Sequence, residues 1–387
     1  MLKAIKVRIY PTDEQRTGLA VQFGCARFVY NNALEYKQSV YKETGQNVSF
    51  HDLITRLPQL KTEFPWLGEA DSQALQQSIL HLQRAYVNFF EKRARFPQKK
   101  KKHNRNQSYQ YPQRVKIEAD KIYLPKVGWV EAMIHRPVES TIKTVTVSLA
   151  PTGKYFASIL MDDGVAVPAP VKHLKADEVE AVDLGLENFY TDSNGNKIAN
   201  PRFLKRAANN LRKKQKFLSR KKKGSNNRNK ARIKVAKAHE KAANARSDFQ
   251  HKLSYHLAGE NQAVGMESLR VKNMLKNRRL AKAIGDAGWG SFMIKVRYKC
   301  LRMGKRFVKI DTFYPSSKTC NQCTNIMDEL PLKVRVWTCP VCKTVHDRDH
   351  NAAINIKYQT ILELKAAGCT VSVRRGLRKT SELEAAA

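Results

Sequence analysis

Cys320-x2-Cys323 and Cys339-x2-Cys342 are two thiol pairs with 15 residues between them. That is ligand spacing for a tetrahedral four-sulfur zinc site, so a structural zinc ion is expected there. Zinc knuckles often carry glycine after the second cysteine; Thr324 and Lys343 stand in those places, which bears on the local backbone more than on the metal. Three acids form the second constellation: Asp183 in AVDLGL, Glu267 in AVGMESL and Asp349 in DRDHNAAINI, where Asp347 is a near neighbour. Taken singly, Asp183 reads as a turn former at a strand end. Glu267 and both aspartates read singly as acids favoured at helix N-termini. Taken together they lie 84 and 82 residues apart, each at the C-end of a strand or the start of a helix. Open α/β sheets gather their sites at such positions. Oxygen ligands of this kind suit Mg²⁺. A pair of Mg²⁺ ions roughly 4 Å apart activates water on one side and stabilises the leaving oxygen on the other, which is phosphodiester hydrolysis.

The 387 residues suffice for two or three domains, and 42% apolar content excludes a disordered chain. Lys and Arg number 71 against 34 Asp and Glu, a net charge of +37. A compact fold with that excess requires a polyanion, and nucleic acid is the obvious one, because each neutralised phosphate releases a counterion. No stretch of about 18 apolar residues and no signal pattern is present, so a membrane partner and secretion are not expected. A cytoplasmic, nucleoid-associated protein is the expectation. Cys25, Cys300 and Cys369 lie outside any ligand spacing and read as buried hydrophobes.

The elements that must position these residues follow from periodicity. MLKAIKVRIYP alternates and stops at Pro11, a strand. Helical spacing then runs from Thr12 to about Arg95, with helices expected over Asp13–Tyr41, His51–Leu60 and Ala74–Phe90. FPQKKKKHNRN breaks the pattern. RVKIEADKIYLP, STIKTVTVSLA and KYFASILM read as strands, and GVAVPAPVKHLKA (Gly164 to Ala176) as a linker. Beyond it come strand, turn and strand over EVEAVDLGLENFYTDSNGNKI, then a long helical stretch from Asn200 to about Ala258 with its turn at 221–227. A strand ending at Glu267, a helix, the strand KRFVKID, the cysteine pairs and a last helix complete the chain. Arg202 to Lys237 holds 16 Lys/Arg and no acid, which excludes ordinary pairing along the helix and points to nucleic-acid contact. Its candidate contacts are Arg212, Lys213, Lys214, Arg220, Lys221, Lys222 and Lys223, with Lys99, Lys100, Lys101 and Lys102 in the earlier basic run. Only Phe203 and Phe217 are aromatic within 202–237, which favours backbone tracking over base stacking.

DLGLENFYTDSNG, GMESLRVKNM, SSKTCNQC, WTCPVCKTVHDRDHNAAINI and the basic segment between the first two resemble the TnpB family, transposon-encoded RNA-guided nucleases related to type V CRISPR effectors. KAIKVRIYPTDEQ and the ALQQSILHLQRAYVNFFEKRARFP segment are also similar to it, so the resemblance covers nearly the whole chain. It implies a multidomain α+β fold. A wedge β-barrel over 1–11 and 104–172 carries an inserted helical recognition domain over 12–103. A ribonuclease-H-like (RuvC) α/β nuclease domain over 173–387 contains the basic segment 200–258 and an inserted zinc ribbon, 316–346. In the family's last motif the acid preceding x-Asn-Ala-Ala is catalytic, which maps to Asp349 and leaves Asp347 supporting. The implied activity is cleavage of double-stranded target DNA next to a short transposon-associated motif, guided by an RNA derived from the transposon end. Gln76 and Gln77 are chemically suited to read adenine in that motif. A nuclease-inactive RNA-guided repressor and a DNA transposase are the alternatives. The first should lack an acid, and all three are present.

Overall fold

The computed structural model describes residues 1–102, 107–138 and 140–372. The end of the basic run (103–106) and the end of the expected nuclease domain (373–387) lie outside the described residues. The chain forms two compact units, Met1–Ala166 and Val167–Ala387.

The first unit runs β1 (Leu2–Tyr10), α1 (Asp13–Thr44), α2 (Phe50–Thr55), α3 (Leu57–Glu63), α4 (Ser72–Phe90), β2 (Gln107–Tyr111), β3 (Lys116–Glu118), β4 (Lys121–Leu124), β5 (Gly128–Met133), β6 (Thr141–Leu149) and β7 (Tyr155–Asp162). Thr12 and Gln15 form a capping box at the start of α1, and Gly45 ends it in the left-handed region. The single helix expected over 51–60 is two short ones, with Pro58 in the first turn of α3. RVKIEADKIYLP is the β3–β4 hairpin. The strands form one antiparallel sheet, order β2-β6-β7-β1-β5-β4-β3, whose two ends share a core: Tyr111 of β2 donates to Pro125 O, just past β4, at 2.8 Å. Helix packs beside β2: Phe23 of α1 stands edge-on to Tyr109 at 5.1 Å. Leu19, Phe23, Ala26 and Ala74 join Ile5, Val7 and Ile9 in one core, so the helices and the sheet of this unit share packing. A second core, around Val29, Leu34, Leu75 and Leu82, is built from the helices and the turns that join them.

The second unit contains β8 (His173–Lys175), β9 (Val179–Leu184), β10 (Asn188–Asp192), β11 (Lys197–Ala199), α5 (Phe203–Ser219), α6 (Asn226–Glu260), β12 (Ala263–Glu267), α7 (Val271–Met274), α8 (Ala281–Ala287), α9 (Trp289–Arg302), β13 (Arg306–Ile310), β14 (Val336–Thr338), β15 (Val345–Asp347), α10 (Arg348–Ala366) and β16 (Thr370–Ser372). The tail of the expected linker is itself a strand, since β8 pairs in parallel with β16. The central sheet has the order β11-β10-β9-β12-β13. β9, β10 and β11 form an antiparallel meander, whereas β12 runs parallel to both β9 and β13. Successive strand residues face opposite sides. Val182, Val264 and Met266 therefore pack with Phe292 and Val296 of α9. Val179 and Ala263, on the other face, pack with Ile361 and Leu364 of α10. Among the described residues no helix is long and apolar enough to cross a membrane.

Candidate active site and metal centre

The same period of two places the acids. Asp183 shares the face of Val179 and Ala181; Glu267 shares that of Ala263 and Gly265. Val182 lies opposite Met266 across the parallel β9–β12 pair, so Asp183 and Glu267 are next in register at the C-ends of adjacent strands. Helix α10 crosses this face very closely. A Cβ on Gly265 would meet Thr360 Oγ1 at 1.9 Å, and Ala352 and Ala353 are fully buried, so small side chains on both partners permit the approach. Asp349 lies in the first turn of α10. Gly185, in Asp-Leu-Gly, is needed for the turn after β9, where a Cβ would stand 2.8 Å from Asn188 O.

The acids sense one another. Burial first, then the charges of Glu267 and Asp349, holds the Asp183 carboxyl well above its usual range, against the opposing pull of Arg348 and Arg335. Burial also raises Glu267, opposed by the hydrogen bond it accepts from Ser316 Oγ. Asp347 is different. Burial pushes it up, but Lys197 Nζ at 2.6 Å and the backbone N–H of His350 at 3.0 Å hold it below the ordinary value. It is the N-cap of α10. Asp347→Ala should therefore cost roughly 0.5–2 kcal/mol of stability, read by chemical denaturation, as expected for a lost cap. One partner of the acids that reading the sequence did not find is Arg335. Arg335 donates to Asp349 Oδ1 at 3.2 Å and lies 3.8 Å from Glu187. It is placed there because β14 and β15 pair Val336 with Asp347.

The four cysteines gather with all their sulfur atoms within 4.8 Å of one another. Cys320 and Cys342 are 3.6 Å apart, Cys323 and Cys339 3.5 Å. A tetrahedral zinc with bonds of about 2.3 Å spaces its sulfurs about 3.8 Å apart, so the set fits zinc with little movement. Hydrogen bonding with Thr344 draws the Cys342 thiol down to about 6, while burial pushes Cys320 up to about 12. The missing knuckle glycines leave a visible trace: Thr324 and Lys343 both adopt positive φ, 62° and 58°. The conformation is kept and the residue type is not. His346 Nε2 lies 3.0 Å from Cys320 Sγ, beneath Trp337, and supports the set from outside it. Asparagines of α10 fasten the first knuckle. Asn351 and Asn355 both donate to Thr319 O, at 2.8 and 2.7 Å, and Asn355 also to Ser316 O at 2.7 Å.

The expected nucleic-acid contacts are unevenly placed. Arg212, Lys213, Lys222 and Lys223 are exposed on or after α5, as is Arg220 at its C-cap, while Lys214 and Lys221 are half-buried. Arg228 caps the hairpin tip by donating to Leu218 O and Lys221 O. In the other unit, Lys101 and Lys102 are exposed, but Lys99 pairs with Glu35 at 2.8 Å. Lys100 is tied through its backbone to Asn31, and its ammonium lies 4.1 Å over the Tyr30 ring. Gln76 and Gln77 are half-buried on α4.

A family model described as "Probable transposase" (OrfB of IS605) matches residues 164–278. A Cas12f1-like TNB domain model matches 289–356, and a helix-turn-helix model matches 1–46. The last range here is one strand and one 32-residue helix. A Streptomyces pristinaespiralis protein is 40% identical over 96% of this chain and 92% of its own length. An Escherichia coli K12 protein, InsQ, is 32% identical over 92% and 91%. Both carry the name "Putative RNA-guided DNA endonuclease". The solved Cas12f1-sgRNA-target DNA complex shares the fold, with a TM-score of 0.56 at 12% identity over 92% of this chain and 98% of that one. With 40% identity across nearly its whole length, the chain belongs to the OrfB/TnpB family of RNA-guided DNA endonucleases.

Proposed function

We propose that this chain is an RNA-guided, Mg²⁺-dependent DNA endonuclease that cuts target DNA beside a short transposon-associated motif. One observation carries the reading: Asp183, Glu267 and Asp349 converge on the α10 face of one sheet from three separate segments. The sheet order, a meander followed by two parallel strands, supports a ribonuclease-H-like (RuvC) domain. Asp183, Glu267 and Asp349 would hold two Mg²⁺ ions, which supply a Lewis acid and an activated water for phosphodiester hydrolysis. Arg335 and Arg348 balance the acids, and Ser316 orients Glu267. The ribbon, 316–346, would hold one structural zinc through Cys320, Cys323, Cys339 and Cys342.

The basic hairpin and the Lys99–Lys102 run would track phosphates of the guide, an RNA copied from the transposon end, and of its duplex with the target strand. Gln76 and Gln77, on the helical module of 12–103, would read the motif together with the sheet domain of 1–11 and 104–172. Such a protein works at the nucleoid. Protein purified from its host should carry a discrete RNA ending in variable sequence. Replacing that variable end should redirect cleavage of a plasmid to the new match. A protein that carries no such RNA, or cuts without regard to it, sinks the reading.

A further inference from the structure

The basic hairpin carries a side chain that phosphate tracking does not use. Phe217 on α5 is 48% exposed in the most cationic part of the chain. Phe203 packs edge-on to Phe249 at 6.0 Å, whereas among the described residues Phe217 meets no ring, only the Lys221 ammonium at 4.3 Å. Lys213 and Lys214 precede it by four and three residues and so flank it on the helix. Across from it α6 presents Ala231, buried and small. A depression of about 260 Å³ results, lined by Lys213, Lys214, Phe217, Ala231 and Lys234. None of these lysines, nor Lys221, has a carboxylate partner among the described residues. The site offers an aromatic wall and uncompensated ammonium groups at its rim.

The geometry points to a binding site for one unpaired nucleotide, its base stacked on Phe217 and its flanking phosphates held by Lys213, Lys214 and Lys234. This rests on the reading of the chain as a nucleic-acid-guided enzyme and goes beyond it. A phosphate alone gains nothing from the ring. A paired duplex has its bases stacked on one another and offers the ring no open face. An unpaired nucleotide satisfies both halves of the site, and base–aromatic stacking is sequence-tolerant because every base has a π-face. Backbone tracking, which the scarcity of aromatics favours, accounts for the rest of the hairpin but not for this position.

Short single-stranded oligonucleotides, one RNA and one DNA of the same sequence, each with a single 2-aminopurine, test the site beside a duplex of equal length. The full chain should quench the aminopurine on binding. Phe217→Leu should abolish the quench and weaken single-strand binding by about fivefold or more, leaving duplex binding unchanged. Phe217→Trp should restore both, which shows that the fold is intact. Loss confined to the RNA probe assigns the site to the guide, and loss confined to DNA assigns it to a target strand; each supports the proposal. Unaltered binding by Phe217→Leu, or an equal loss on the duplex, overturns it. Oligonucleotide binding does not require cleavage, so this site and the nuclease reading can fail separately.

Discussion

Asp183→Asn, Glu267→Gln and Asp349→Asn should each lower cleavage at least about a thousandfold, and the first two should leave the protein as stable as before, or more so. The loss follows if each acid is a ligand of the proposed Mg²⁺ site, whose charge stabilisation would supply about 4 kcal/mol for three decades of rate. The stability follows from the electrostatics of the apposed acids. Burial and two neighbouring charges already raise Asp183, and burial raises Glu267, so the charged forms are held at a cost. An amide keeps the shape and removes the repulsion. Cleavage of a guide-matched plasmid and chemical denaturation of the same preparations decide it. Cleavage within tenfold of wild type in any of the three removes that residue from the site. The comparison with Asp347→Ala is informative, because that variant should show the reverse pattern, a loss of stability with partial cleavage.

Cys339→Ser should empty the ribbon. Hydrogen-bonded neighbours of metal ligands cost about 10–100-fold in affinity when removed, so a ligand itself costs at least about a hundredfold. The consequence reaches the acids through named contacts. The segment before the first knuckle supplies Ser316, which donates to Glu267; the segment before the second supplies Arg335, which pairs with Asp349. Wild-type protein should contain one zinc per chain by elemental analysis. The variant should contain almost none, become sensitive to protease within 316–346 and lose cleavage. The first unit should keep its protease resistance, because its cores contain no residue of the ribbon. Full zinc retention in the variant, or a wild type purified without chelators that contains none, would refute the assignment.

Much of this site was legible in the chain itself, for a physical reason. Ligand spacing in a knuckle is local, and the strand ends that carry Asp183 and Glu267 announce themselves by apolar runs that stop at an acid. What could not be read were the contacts made by register between distant segments. Arg335 reaches Asp349 only because a three-residue hairpin pairs with one particular offset. Asp286 caps α5 from 82 residues away, accepting from Leu204 N at 2.8 Å, and nothing in its own neighbourhood signals that. The strand β8 was hidden in a linker because its partner, β16, lies at the far end of the chain.

The asparagine fastening on α10 bears on how such a chain tolerates variation. Both anchors of the insertion, the carbonyls of Ser316 and Thr319 at its entry and the N-cap Asp347 at its exit, are gripped by the first turns of one helix. The outer loop between them is spliced in like a cassette whose two ends are sewn to a single seam. Lengthening a flexible loop costs only about 0.6 kcal/mol for each doubling. The part of the ribbon beyond the seam can thus change length without moving the carboxylates, provided that Arg335, the partner of Asp349, keeps its place in the β14–β15 register. A nuclease built this way can diversify its ribbon while its cutting chemistry stays in place.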